Sequence, residues 1–251
     1  MDLMLCRELG STDEATAATT QSLTDEKTDL VVARLALLYK QTDLAALTAF
    51  GSDIDPFRLA QSMVGSYAAT FAKKTGEAID DFSAIVGNST DQMSVDVFFN
   101  AIFELEKASS NRGAEAPFAC ILHPVQITQL QDSLRNETGN AISYMASTAE
   151  MLKAKGEFFV GSLLGVDVFK SSHVTNAGGA HQGAMFGRSA LFYADGVPAA
   201  LPGAADVMNM GKIVVEMQRE ASKAVTSIIG HGYLGISIGQ DARGVVIKST
   251  T

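Results

Sequence analysis

Apolar and polar residues fall into blocks along this chain, and the length and period of each block predict an element. Residues 10 to 24, GSTDEATAATTQSLT, hold one large apolar side chain, Leu23, and bury too little surface to offset the entropy of ordering. Residues 1–24 therefore read as an arm that orders only against a neighbour, or equally as a frayed terminus. From Asp29 to Tyr39 the run DLVVARLALLY fits a strand or a short helix, because periodicity does not separate the two over so few residues. Asp55 and Pro56 then form a helix start, an N-cap followed by a proline whose missing N–H costs nothing in the first turn. Leu59, Met63, Tyr67 and Phe71 follow at spacings of four, giving a long helix one apolar face, with Gly76 as its expected end or bend.

A second helix is predicted from Ser94, since Val95, Phe98, Phe99, Ile102 and Phe103 fall at i, i+3, i+4, i+7 and i+8, a core-packing stripe. The polar SSNRGAEAP ends it, and FACIL (118–122) reads as a buried strand. His123-Pro124 opens a third helix carrying Val125, Ile127, Leu130 and Leu134, so strand feeds directly into helix. Residues 136–157 read as a mixed connection. Strand-like FFVGSLLGVDVF follows, then a loop SSHVTNAGGAHQG, AMF, a short helix or turn from Arg188 and an aromatic end at Phe192-Tyr193. IVVEM (213–217) alternates as a strand, and YLGISI and GVVIKS, separated by GQDAR, read as a hairpin. The pattern is α+β with antiparallel ribbons, without an internal repeat or an obvious linker.

Composition narrows this picture. A chain of 251 residues buries about 70–75% of its unfolded surface, enough for one or two domains without disulfides or metals. Cys6 and Cys120 do not form a disulfide or metal-binding spacing, and Cys120 within FACIL is expected in the core. The N-terminus lacks signal-peptide character and no apolar run is long enough to span a bilayer, so a cytosol-like compartment and no membrane are expected. A net charge of -9 argues against phosphate neutralisation as the main task, and Lys212, Arg219, Lys223, Arg243 and Lys248 read as solvated charge rather than a nucleic-acid face. The absence of Trp and a count of five Tyr weaken the case for an aromatic stacking platform.

The candidate chemistry is thin. Gly230, Gly232 and Gly235 spell GxGxxG, but a dinucleotide turn needs a helix after it and an acid about 20 residues on, whereas a strand follows here and the sequence stops at Thr251. A crowded ribbon explains the glycines. Among His123, His173, His181 and His231, His173 and His181 flank one loop and are placed to approach each other, yet no metal-binding spacing appears. Ser189 lacks the flanking glycines of a nucleophile elbow. Asp80 with Asp81, and Asp167 with Asp195, are candidate carboxylate pairs that no motif sets apart in pKa. The expectation is that there are no catalytic, cofactor-binding or metal-binding residues, no cofactor and no enzyme.

The segments ACILHPVQITQLQDSLR (119–135), FFVGSLLGVDVFKSSHV with AMFGRSALFYADG, and GHGYLGISIGQDARGVVIKS resemble, in that order, the major capsid proteins of tailed bacteriophages (Caudoviricetes). Those proteins share a Hong Kong 97-like shell fold with encapsulin compartments, and the resemblance covers about residues 55–249. It implies an α+β subunit with peripheral and axial domains: an N-terminal arm at 1–24, a short extended loop at 25–52, the spine helix and peripheral helices at 53–117, a mainly axial part at 118–210 and a return to the peripheral domain at 211–251. It implies self-assembly into hexamers and pentamers that form the icosahedral head around double-stranded DNA, in a virion assembled in the host cytoplasm. Partners would be further copies of the chain, with separate scaffolding, portal or decoration proteins. Some members crosslink a lysine to an asparagine, for which Lys27 or Lys40 and a loop residue such as Asn176 are the candidates. The alternatives are an encapsulin-like compartment shell and a soluble α+β hydrolase using Asp and His from residues 167–195.

Overall fold

Pro56 opens the longest helix, where its fixed backbone and missing N–H suit the first turn. This and every other element come from a computed structural model that describes residues 2–4, 25–27, 29–44, 56–107, 116–136, 144–196, 206–209 and 211–250. The expected arm, 1–24, lies outside the described residues except at Asp2–Met4, and the expected extended loop, 25–52, is described at 25–27 and 29–44.

In chain order, β1 (Asp2–Met4) pairs with β2 (Asp25–Lys27). The run left open between strand and helix is a strand, β3 (Ala33–Thr42). Helix α1 (Pro56–Ile79), β4 (Ala84–Gly87), helix α2 (Val95–Lys107), β5 (Ala119–Leu122) and helix α3 (Pro124–Asn136) follow. The connection expected at 136–157 contains β6 (Tyr144–Ala146) and helix α4 (Ala149–Lys155), which Thr148 caps by accepting from the Met151 N–H and Gly156 closes at φ 96°. FFVGSLLGVDVF is a hairpin of β7 (Phe159–Leu163) and β8 (Val166–Lys170), turning at Leu164 and Gly165. After β9 (Asn176–Ala177), the strand β10 (Ala180–Phe186) includes His181, Gln182 and Gly183, which the sequence pattern assigns to a loop. The chain ends with β11 (Leu191–Gly196), β12 (Asp206–Asn209), β13 (Val214–Glu220), β14 (Val225–Ile238) and β15 (Gly244–Thr250).

These elements divide into two units, the first of Met1–Asp29, Thr75–Phe192 and Ser237–Thr251, the second of Leu30–Lys74 and Tyr193–Ile236. The limits 53–117, 118–210 and 211–251 do not coincide with that division. Helix α2 shares the first unit with β5 and α3, and so does the chain end, because β15 takes the edge of β10 that β5 leaves free. For the same reason YLGISI and GVVIKS do not form a hairpin. β14 lies in a five-stranded sheet and β15 in an eight-stranded one. The intervening GQDAR is held by other partners: Gly239 N–H donates to Ala190 O at 2.7 Å, and the Asp241 carboxylate accepts from Ser83 N–H and Oγ at 2.9 and 2.5 Å.

The first unit's sheet runs β4-β15-β10-β5-β8-β7-β6, with β9 on β10. It is mixed rather than purely antiparallel, since β15/β4 and β5/β8 are parallel pairs. Strand alternation sorts its side chains into two layers. Met185, Val245 and Ile247 join a core with Phe98, Leu105, Ile127 and Leu130 of α2 and α3, while Ala184 and Val246 join Ile79 and Phe82. Helix α2 starts as expected, with Ser94 Oγ accepting from Val97 N–H at 3.3 Å, but only part of its aromatic stripe is core. Phe98 is fully buried, whereas Phe99 and Phe103, turned to the flank, are exposed. Gly76 does not end α1. It sits inside the helix, where a β-carbon would overlap the carbonyl oxygen of His173.

The second unit's sheet runs β11-β14-β13-β12, with β3 on β14. Its core is Ala60 and Met63 of α1 against Ile213, Val215 and Ile228, flanked by Leu37 and Tyr39 of β3. The four-residue spacing read from the sequence is therefore what seats α1 on this sheet.

Candidate functional site

The GxGxxG glycines lie along β14, and each admits a neighbour rather than a phosphate. A β-carbon at Gly230 would stand 2.8 Å from Met63 Sδ, at Gly232 2.7 Å from the Tyr67 ring, and at Gly235 2.6 Å from the Val31 carbonyl oxygen. No α-helix opens at them, since β14 runs through all three and on to Ile238. The glycines let α1 and the segment before β3 approach the sheet. Tyr67 completes the contact by donating to Tyr233 O at 3.4 Å.

The histidines pair differently from the expected approach of His173 to His181. His123, at the entry to α3, stacks on His181 of β10 with centroids 3.7 Å apart and planes 11° apart. Burial lowers both pKa values, and at His123 the neighbouring His181 lowers it further. Gln126, which sequence reasoning passed over as a polar residue among apolar ones, is the hub of this region. Its fully buried amide donates to His181 O at 3.1 Å and Ile247 O at 3.2 Å and accepts from His123 N–H at 3.0 Å. Gly183 makes room for it, because a β-carbon there would lie 2.8 Å from Gln126 Oε1.

Asp167 pairs with Lys155 at 2.5 Å and Asp195 with Lys212, one pair in each unit. Burial raises the pKa of Asp80, opposed by a hydrogen bond from Thr175. Ser189 adopts φ 65° in the turn before β11, and its carbonyl accepts from Gln240 N–H at 3.0 Å. Cys120 is buried with its thiol pKa pushed up by desolvation, and Cys6 lies outside the described residues. Among the described residues no group of three His, Cys, Asp or Glu is arranged to hold a metal ion, and no helix is long and apolar enough to cross a membrane. The basic set is largely neutralised: Lys212 by Asp195, Arg219 by a two-pronged contact to Asp43 at 2.8 and 3.2 Å, and Lys223 by Glu220 at 2.8 Å. Arg243 donates to Arg188 O, and Lys248 lies on β15. Of the crosslink candidates, Lys40 lies on β3 opposite Ser227, Asn176 on β9 opposite His181, and Lys27 on β2.

What the second unit does present is a surface. β3 pairs with β14 from Ala33 to Thr42, and among the described residues it ends the sheet on that side. Its inward residues alternate with an outward row of Arg34, Ala36, Leu38, Lys40 and Thr42, all exposed. Leu38 is 49% exposed, and the flanking Val31 and Leu44 are 79% and 71% exposed. A long edge strand with apolar flanks is a template for pairing with another chain, which monomeric proteins avoid.

No known family profile matches the chain, and no curated protein matches it by sequence. Solved structures do match. The capsid of Ralstonia phage GP4 is 11% identical with a TM-score of 0.69, over 100% of this chain and 83% of that one. A structure of Mycobacterium phage Che8 is 15% identical at a TM-score of 0.66, over 98% and 82%. The holo-SrpI encapsulin complex from Synechococcus elongatus is 12% identical at 0.59, over 95% and 80%. The chain has the Hong Kong 97-like shell fold. At these identities the shared feature is the course of the backbone. The packing that builds the shell fold here, with Met63 and Tyr67 seated against Gly230 and Gly232, is read from this chain's own residues.

Proposed function

We propose that this chain is a shell subunit, specifically a major capsid protein of a tailed bacteriophage, whose copies form hexamers and pentamers and close an icosahedral head around double-stranded DNA. The observation that carries the reading is the fold likeness over nearly the whole chain to phage capsids such as that of Ralstonia phage GP4. The exposed edge of β3 supports it, because closed shells need many modest contacts whose geometry repeats. In this reading the unit containing β5 and α3 takes the axial role and the unit containing most of α1 the peripheral one. Scaffolding, portal or decoration proteins would be separate partners, and the subunit has a structural role without catalysis. A net charge of -9 suits a wall that lies beside packed DNA without gripping it.

The likeness to the Synechococcus elongatus encapsulin supports a second reading, a cellular compartment shell. Electron microscopy of the purified protein tests the shared part: closed particles or hexamer rings are expected, and a dispersed monomer or dimer at every concentration overturns it. Co-purified DNA with a portal favours the capsid, and a protein cargo bound to the inner wall favours the compartment. Tight, salt-sensitive binding of free subunits to duplex DNA would contradict the capsid reading.

A further inference from the structure

Nδ1 of His181 and Oγ of Ser249, both in the first unit, are closed off from solvent and have no hydrogen-bonding partner among the described residues. The two residues are 6% and 0% exposed. They stand directly opposite each other, His181 on β10 and Ser249 on β15, within the antiparallel register that these strands share. Directly opposed residues point to the same face of a sheet with β-carbons about 4.5–5.5 Å apart, so the two polar ends are neighbours. A hydroxyl or an imidazole nitrogen buried without a partner is costly, and in folded proteins such groups are satisfied by protein atoms or by ordered water.

The groups around this pair are committed elsewhere. The His181 ring is set by its stack on His123, and His123 is set in turn because its Nδ1 accepts from Val125 N–H at 3.2 Å. The nearby carbonyl oxygens already accept from α3: Gln126 donates to those of His181 and Ile247, and Gln129 to that of Thr250 at 3.2 Å. The Gln126 amide has no hydrogen to spare, since both go to those two carbonyls, and its oxygen accepts from His123 N–H. A metal ion would need a fuller ligand set, which no group of His, Cys, Asp or Glu among the described residues supplies. The group that joins the two atoms must be small and uncharged, and must both donate and accept. We propose that one buried water molecule bridges His181 Nδ1 and Ser249 Oγ. Two hydrogen bonds of about 2.8 Å meeting at one oxygen match the separation expected across a directly opposed pair. The bridge continues the tie that Gln126 makes between the same two strands, two residues further along β15 than Ile247, and so holds the last strand of the sheet in register. It concerns the first unit by itself and stands whether or not copies of the chain assemble.

A density map of the wild-type chain that resolves ordered water, from a crystal of the subunit or from electron microscopy, tests the site directly. The expected result is a peak within about 2.7–3.2 Å of both atoms. An empty gap, or direct contact between the ring nitrogen and the hydroxyl, overturns the proposal. Hydrogen exchange of residues 244–250 in the full chain gives a second reading through a double-mutant cycle. His181→Phe keeps a ring to stack on His123, and Ser249→Ala keeps a small side chain on the strand. Each leaves the water one partner short and should speed exchange about fivefold, the scale of one hydrogen bond. Because both changes break the same bridge, the double variant should exchange about as fast as the faster single one. Effects that multiply, to about 25-fold in the double variant, would show two independent groups and overturn the bridge.

Discussion

Replacing Gln126 should loosen the first unit more than any exposed change. The amide is fully buried and bridges α3 to both β10 and β15 through contacts at 3.1 and 3.2 Å, with a third from His123 N–H at 3.0 Å. Gln126→Met keeps the volume and removes all of these, and at about 1 kcal/mol for each the loss is about 3 kcal/mol. Gln126→Ala adds a cavity and about 2 kcal/mol more. Against a total stability of about 5–15 kcal/mol, either is a large fraction. The chain has no tryptophan to report unfolding and two units that need not unfold together, so segment-resolved hydrogen exchange is the suitable assay. Peptides covering 119–136 and 244–250 should exchange about a hundredfold faster in Gln126→Met, with 225–231 as an internal reference. Exchange within about twofold of wild type would mean the amide contributes nothing net, and would refute the argument that buried polar hubs hold this unit together.

Other outcomes follow from the same geometry. Leu38→Asp, on the outward row of β3 with about half the side chain still open, should forfeit about 1 kcal/mol per subunit contact and raise the concentration needed for particles by about fivefold, measured by light scattering. Circular dichroism should stay unchanged, and particle formation at the wild-type threshold counts against β3 as an assembly edge. Phe98→Ala should cost about 3–5 kcal/mol, and the same change at exposed Phe103 under about 1 kcal/mol; equal losses in thermal melts would contradict the burial pattern of α2. Burial holds His123 and His181 below the ordinary histidine pKa of about 6.5, so the unfolded chain binds protons the folded chain refuses. Their contribution is complete above that value and is lost as pH falls through it towards the depressed folded values. A melting temperature that holds level from neutral pH to pH 5 in wild type, or falls equally in a His123→Gln/His181→Gln double variant, would rule this out.

The three longer helices were legible in the sequence because their signals are local, whereas the seven-residue Ala149–Lys155 was read only as part of a connection. Pro56, Ser94 and Pro124 each sit where a helix begins, and the four-residue spacing through Met63 and Tyr67 finds the face that meets the sheet. The sheets were legible strand by strand but not as sheets. GQDAR between two alternating runs satisfies every local requirement of a hairpin, and nothing within it records that β10 offers β15 a better edge. Gly76 failed for the same reason, since its need for a missing side chain is set by His173, far along the chain.

The GxGxxG run shows where local and long-range information meet. Spacing alone did not separate a phosphate cradle from a crowded ribbon, but the strand pattern after Gly235 rejected the cradle, and Met63, Tyr67 and Val31 fill the space that each glycine leaves. Gln126 and His231 lie beyond such reasoning altogether. Each is a polar residue in an otherwise ordinary element, and each has a partner on a strand far along the chain, 55 positions away for Gln126 and 197 for His231. A buried hydrogen-bonding group has to find partners that the fold supplies, so its role becomes readable only once the sheet is assembled. In a chain whose proposed task is to make contacts rather than break bonds, these long-range ties are where control of assembly has to reside.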